Sequence, residues 1–203
     1  MARESLVPGP GSLVLSAGPA MVRDTIGLPF FRISTKTTDY GGNLALDYFA
    51  SKAVSIGSEL TVTTAPGGTN FIETVNHHGT TKTVALNMPA RIMFLFDVDA
   101  RYYPLQLTRY ADFRLQPFVK VAVGGMLFVS PPSSFGESSS IDPCPFASAG
   151  GGTDFVFNSR WSATAIAQYY SSLSDTTAHL NGIPFSARDH GVEANVGIRY
   201  RFW

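Results

Sequence analysis

Apolar and polar residues alternate with a period of two along most of this chain. The pattern is clear at the C-terminal end, where every second residue of 191–202 is apolar and the residues between them are small or polar. A period of two places the two sets on opposite faces of a β-strand. The chain therefore ends in a strand with one apolar face, made by Val192, Ala194, Val196, Ile198, Tyr200 and Phe202.

The same alternation predicts six further strands, and 25–35 is the candidate for an eighth strand, which a closed barrel with an even number of strands needs. Within residues 84–102, every even position from Val84 to Tyr102 is apolar, whereas the odd positions include Arg91, Asp97 and Asp99. A tilted strand needs only ~9–11 residues to cross a bilayer, so this segment is long enough to span one. Pro29 and Arg32 blur the pattern in the first predicted strand. The seven strands are predicted at 25–35, 43–50, 53–64, 84–102, 117–130, 146–157 and 161–172.

The connections between these strands differ in length. Two are tight, at 51–52 and 158–160, and a third spans about 103–116. The others are long and rich in Gly, Ser, Thr, Pro and His, and they cover 65–83, 131–145 and 173–189. Short turns at one end and long loops at the other are typical of outer-membrane barrels. We expect the short-turn end to carry both termini and to face the periplasm, with the long loops outside.

Composition favours the same architecture. The 203 residues have a formal net charge of zero, and only 15% are charged, against ~25% in an average soluble domain. No run approaches the ~18–20 apolar residues of a transmembrane helix. We therefore predict an all-β fold, an eight-stranded antiparallel transmembrane β-barrel with up-and-down meander order, over 25–203. Residues 1–24 are assigned to an N-terminal periplasmic tail or residual export segment.

A soluble barrel of the lipocalin kind is the alternative fold. It would turn the apolar face of every strand inward and the charged face outward, so the two folds predict opposite orientations for the same residues. The neutral charge balance argues against binding to nucleic acid.

In the membrane barrel, the polar strand faces line the lumen. Eight strands leave an interior just wide enough for side chains to fill it, and charges in such a space must be paired or hydrated. We predict a plugged lumen, and an ion path gated by the same charges stays open as an alternative. The predicted lumen charge network comprises Asp47, Glu59, Arg91, Asp97, Asp99, Lys120, Asp154, Glu193, Arg199 and Arg201, with Arg101 near the periplasmic rim.

Aromatic residues lie near the strand ends on the short-turn side. Aromatic side chains with a polar edge prefer the membrane–water interface. We predict that this group forms an aromatic girdle, consisting of Tyr48, Phe49, Tyr102, Tyr103, Trp161, Tyr200, Phe202 and Trp203.

Three segments resemble the small eight-stranded outer-membrane barrels, namely the OmpA transmembrane domain, the opacity-type porin-like family and OmpW. They are QPFVKVAVGG at 116–125, GGTDFVFNSRW at 151–161 and GIRYRF at 197–202. The resemblance implies an outer-membrane location in contact with lipid and lipopolysaccharide. It also implies that the barrel-assembly machinery reads the terminal signal Val196, Ile198, Tyr200 and Phe202, with Trp203 one residue beyond it at the rim.

We find no convincing catalytic or metal-binding motif and expect no cofactor and no enzyme activity. Cys144, placed in an outer loop, is the single cysteine, which excludes an intrachain disulfide. The four histidines, His77, His78, His179 and His190, lie in or next to the predicted outer loops, and we expect them to be solvated and not to bind a metal ion. Gly150–Gly152 lacks the Lys-Ser/Thr of a phosphate loop. Lipid A deacylases carry a His-x-Ser-Asn run, but Gly191, Val192 and Glu193 follow His190 here. Nothing in the sequence orients a base toward the two candidate nucleophiles, Ser172 and Ser186.

These observations predict a structural or anchoring role, or binding of other envelope proteins through the three long loops. A small OmpW-like channel for ions or apolar solutes is the alternative, and a lipid A-modifying enzyme is the third class considered.

Overall fold

The computed structural model describes residues 8–28, 33–65, 68–75, 81–88, 90–108, 113–129, 141–180 and 183–202. A short 3₁₀ helix at Pro104–Leu107 is the only helix in this part of the chain, and nothing there is helical over a length that could cross a membrane. The strands are β1 Leu13–Leu28, β2 Ile33–Phe49, β3 Val54–Ala65, β4 Gly68–Val75, β5 Thr81–Met88, β6 Arg91–Tyr102, β7 Leu115–Val129, β8 Ile141–Val156, β9 Trp161–Ser172, β10 Thr176–Leu180 and β11 Ile183–Arg201.

Eight of the strands close into an antiparallel barrel in meander order, β1-β2-β3-β6-β7-β8-β9-β11. The barrel closes because β11 pairs back onto β1, from Val14 opposite Arg201 to Gly27 opposite Arg188. Closure leaves no open sheet edge, which is the condition for a sheet to exist within lipid. The predicted fold class is confirmed.

The two ends of the barrel differ. At the short-turn end lie the β2–β3, β6–β7 and β8–β9 connections, together with the first residues of β1 and the last of β11. At the other end, here called the hairpin end, β4 pairs with β5 and β10 pairs with the first part of β11. The predicted loops 65–83 and 173–189 therefore contain β-hairpins. Most of the predicted loop 131–145 lies outside the described residues, and the prediction is wrong for 141–145, which belong to β8.

The predicted first strand at 25–35 is wrong. β1 starts at Leu13, where it lies opposite Tyr48 of β2, so residues 13–24 belong to the barrel wall and not to a tail. Alternation failed here because the side chains that β1 turns inward are themselves mostly apolar or small. They include Val14, Ser16, Ala20 and Val22, so the two faces of β1 show little contrast.

The predicted strand at 84–102 is two strands. β6 pairs with β3 up to Arg91 opposite Ala65, whereas β5 pairs with β4 in the separate hairpin. Pro89 stands between β5 and β6 in the sequence, and proline has no amide hydrogen to continue a ladder. The alternation itself runs on through both strands, which is why the sequence alone shows one segment.

The apolar faces point outward and the charged faces point inward. On β6, Phe96 and Val98 are 55% and 50% exposed, whereas the neighbouring Asp97 and Asp99 are buried. On β7, Val121 is 58% exposed and Lys120 only 1%. This orientation contradicts the soluble lipocalin-like alternative, which requires the reverse. A continuous apolar belt on the outside of a closed barrel is suited to lipid.

Part of the predicted aromatic girdle is present at the short-turn end. Tyr48, Tyr102, Trp161 and Phe202 are exposed there, and Tyr200 packs between Trp161 and Phe202, with ring centroids 4.7 and 5.1 Å away. The prediction is wrong for Phe49 and Tyr103, which are buried in the lumen. Each directly follows an outward-facing residue and therefore points inward. Trp203 lies outside the described residues.

Because successive residues of β6 point alternately to the outside and to the lumen, neighbouring positions should differ in their access to lipid. Spin labels placed singly on Cys144→Ala protein at 96 and 98 should collide readily with oxygen in lipid vesicles, because they face acyl chains. A label at 97 should not, and electron paramagnetic resonance saturation measures the difference. High collision rates with a water-soluble nickel reagent at 96 and 98 would contradict the assignment of the outer face.

Candidate functional site

Tyr103 closes the lumen at the short-turn end. It follows β6 directly, and its ring lies 5.5 Å from the ring of Phe49 and 5.2 Å from that of Phe118. Its hydroxyl donates to Asp154 Oδ2 at 3.1 Å. Val14 and Ile166 complete this buried cluster. Tyr103 thus joins the rings of Phe49 and Phe118 into an aromatic floor, and a lumen carboxylate satisfies its hydroxyl group.

Lys120 lies among three buried carboxylates. Its Nζ is 2.5 Å from Glu59 Oε2, 3.2 Å from Asp99 Oδ2 and 3.7 Å from Asp97 Oδ2. The alternation of β7 turns Lys120 inward between the outward Val119 and Val121. By distance alone the three carboxylates could also hold a metal ion. The Lys120 ammonium group already supplies a cation to these carboxylates. We therefore interpret the arrangement as an internal ion cluster and not as a metal site.

Two arginines extend this cluster toward the floor. Arg101 Nη1 lies 3.1 Å from Asp47 Oδ2, and its Nη2 lies 3.2 Å from Asp99 Oδ2. Arg199 Nη2 lies 2.7 Å from the same Asp47 oxygen, and its Nη1 contacts Asp154. Asp47 therefore joins two guanidinium groups, and the ion pairs link β2, β6, β8 and β11 across the lumen. Gly57 makes room for it, since a Cβ there would lie 2.5 Å from Asp47 Oδ1.

Glu193 is held mainly by neutral donors. It accepts from the Thr61 hydroxyl at 2.6 Å, from Gln168 at 2.6 Å and from Asn195 at 3.1 Å. The Asn195 amide also donates to Glu59 at 2.7 Å and so connects Glu193 to the ion pairs. We call this connected set the central network: Asp47, Glu59, Asp97, Asp99, Arg101, Lys120, Asp154, Glu193 and Arg199.

An apolar layer separates the central network from a second group of ions near the hairpin end. The layer consists of Val22, Met93, Leu95, Met126, Cys144, Phe146 and Tyr170, with Phe128 against it. Beyond it, Arg91 Nη2 lies 2.8 Å from Asp24 Oδ2 and 3.2 Å from Asp39 Oδ2. The Tyr170 hydroxyl donates to Asp24 Oδ1 at 2.8 Å. The lumen is thus filled at successive levels by ions, apolar side chains and ions again.

The structure brings most of the predicted charge network together, but not all of it. Arg91 belongs to the second group, and Arg201 is half-buried at the end of β11. The sequence missed Asp24 and Asp39, Asp24 because β1 was misplaced and Asp39 because the second predicted strand began at 43. The sequence does hold a signal for Asp39, since it lies an even number of residues before Asp47 and therefore shares its inward face of β2. Arg101, predicted at the rim, lies in the central network.

The remaining candidates fall on the barrel wall or outside the described part. Cys144 is buried in the apolar layer and not in an outer loop. Ser172 and His190 lie on opposite faces of the barrel wall. The Ser172 hydroxyl accepts a hydrogen bond from the Asp189 backbone amide at 3.2 Å. The Gly150–Gly152 run lies within β8. The terminal residues Val196, Ile198 and Phe202 are exposed on the outer face. Side chains outside the described set are those of His77, His78, His179 and Ser186.

Removing the central ammonium should destabilise the barrel strongly. Lys120→Met keeps the length of the side chain but leaves Glu59, Asp97 and Asp99 without their common cation. We expect a loss of about 3–5 kcal/mol in unfolding free energy, measured by urea unfolding from lipid vesicles. The matched control is Lys52→Met at an exposed turn position. Equal stability of the two variants would contradict a structural role for the ion cluster.

No family model and no curated protein sequence match this chain. Among solved structures, the outer membrane protein OprG from Pseudomonas aeruginosa matches with a TM-score of 0.59 and 13% identity, covering 97% of this chain and 98% of that one. Neisserial surface protein A matches with a TM-score of 0.59 and 10% identity, covering 94% and 97%. The outer membrane protein AlkL, solved in lipid bilayers, has a TM-score of 0.54 and 18% identity, covering 100% and 95%.

The sequence identities are low, so the similarity to these proteins is one of backbone fold. It extends over nearly the full length of each pair of chains and agrees with the strand order and the inverted faces described above. The chain has the fold of the small eight-stranded outer-membrane β-barrels.

Proposed function

We propose that this chain is a structural outer-membrane barrel whose lumen is closed to solute flow. The observation that carries the proposal is the filling of the lumen by the central network between an aromatic floor and an apolar layer. Each level is made of side chains from several strands, and each charge of the central network pairs with an opposite charge or accepts hydrogen bonds from neutral donors. Opening a path would require breaking several buried ion pairs together, which is costly in a low-dielectric interior.

The space left beside the floor is small. A cavity bounded by Tyr103, Asp154 and Arg199 has a volume of about 20 Å³. A cavity needs roughly 10–15 Å³ of such space to hold one water molecule. This cavity has room for about one water molecule, which supports a plug in preference to a hydrated pore.

The outward apolar belt and the fold support placement in an outer membrane, surrounded by lipid and lipopolysaccharide. In the proposed orientation the short turns and both termini face the periplasm, and the hairpin end faces outside. The exposed residues of the terminal strand would be read by the barrel-assembly machinery. The β4–β5 and β10–β11 hairpins are the elements through which we propose contact with other envelope proteins. The proposal includes neither catalysis nor a cofactor.

Conductance in planar bilayers tests the closed lumen. The purified protein, inserted at a density verified by immunodetection, should give no stable conductance steps, while a general diffusion porin serves as the positive control in the same membranes. Long-lived openings would overturn the proposal and would favour the alternative, a small channel of the OmpW kind.

A further inference from the structure

Charge is segregated between the inside and the outside of the barrel. Of the acids whose side chains the structure describes, Asp175 alone is exposed, while the others are buried in the lumen. Six bases are exposed on the described outer surface: Arg23, Lys36, Lys52, Arg114, Arg160 and Arg188. A chain with zero formal net charge therefore presents a positive exterior over the described part. Such a surface is suited to anionic groups.

Two of these bases, Arg23 of β1 and Lys36 of β2, lie close together on neighbouring strands at the hairpin end. Thr25 of β1 lies directly opposite Lys36 of β2 and directly opposite His190 of β11. Arg23 lies two residues before Thr25 on the same outward face of β1. Directly opposed Cβ atoms are about 4.5–5.5 Å apart and diagonal neighbours about 7–8 Å. We call Arg23, Thr25, Lys36 and His190 the basic patch.

The basic patch begins where the apolar belt ends. Along β1 the outward residues are Leu15, Ala17, Pro19 and Met21, and Arg23 is the next one. On β2, the exposed Tyr40 lies opposite Met21, just within the belt. At the same end, the outward residues of β3, β6 and β7 are uncharged, such as Thr64, Ile92 and Leu127. The patch is therefore confined to one sector of the barrel, at the depth of the lipid headgroups.

Neither cation of the patch is neutralised by a described acid. Within the part of the chain whose side chains are described, Arg23 and Lys36 form no ion pair, and both are exposed. Asp175, the one exposed acid among those described, pairs with Arg188 at 2.7 Å. His190 packs against the Tyr169 ring at a centroid distance of 6.2 Å. Two cations, a hydroxyl and an imidazole thus face the headgroup layer together.

We propose that the basic patch binds a phosphate group on a phosphorylated glycolipid of the outer leaflet. Arg and Lys form charge-assisted hydrogen bonds with phosphate oxygens, and basic residues next to a membrane attract anionic headgroups. The Thr25 hydroxyl adds a neutral donor between the cations. The choice of an outer-leaflet lipid rests on the proposed orientation, with the hairpin end outside.

The test compares the wild type with Arg23→Gln/Lys36→Gln in phosphatidylcholine nanodiscs. The probes are phosphorylated lipid A, dephosphorylated lipid A and phosphatidylglycerol, each added at the same level, and native mass spectrometry counts the lipid that each barrel retains. The control is Arg114→Gln/Arg160→Gln, which removes the same charge at the short-turn end. Heat-modified electrophoretic mobility verifies that all variants are folded.

We expect the wild type and the control to retain phosphorylated lipid A in preference to the dephosphorylated form by roughly 10- to 25-fold, because each of the two cations contributes a factor of about three to five. The Arg23→Gln/Lys36→Gln variant should lose that preference. If it keeps the preference, or if the wild type shows none, the site is wrong. Equal retention of phosphatidylglycerol by the wild type would overturn the assignment to a glycolipid. Protease cleavage of the hairpins on whole cells tests the orientation separately.

Discussion

Asp47 lies between the guanidinium groups of Arg101 and Arg199 in the middle of a closed barrel, and the rest of the structure depends on such buried pairs. Once eight strands close in a membrane, their apolar faces must meet lipid, so every polar strand face turns inward. The interior is too narrow to hydrate these groups fully. They are stable there only because each charge meets an opposite charge or a hydrogen-bond donor.

This constraint also decides what holds the barrel together. Contacts between the apolar belt and lipid contribute little to the stability of the fold, because acyl chains are as apolar as leucine side chains. Interior contacts and the strand ladders therefore carry the specificity of the fold. Lys120 joins carboxylates of β3 and β6, and Arg199 joins those of β2 and β8. Because these pairs cross the lumen, the interactions that stabilise the wall also fill the space through which a solute would pass.

The sequence predicts strands well where the two faces differ strongly. Strands β6, β7 and β11 alternate between apolar residues and charges such as Asp97, Lys120 and Glu193, so the alternation shows which face of each strand turns inward, although it does not show where β6 begins. β1 could not, because its inward Val14, Ala20 and Val22 resemble its outward residues. That error removed Asp24 from the predicted network and hid the second ion group around Arg91. Alternation also cannot show which inward residues share a level, which is why the apolar layer containing Cys144 was missed.

The central claim is that buried ion pairs across the lumen stabilise the barrel, and a double-mutant cycle on Arg199 and Asp47 tests it most directly. The variants Arg199→Met, Asp47→Leu and the double variant would be unfolded by urea in lipid vesicles. Each single change should be strongly destabilising, and the double variant should lose less than the sum, by a coupling of about 1–3 kcal/mol. Strictly additive losses would contradict the account.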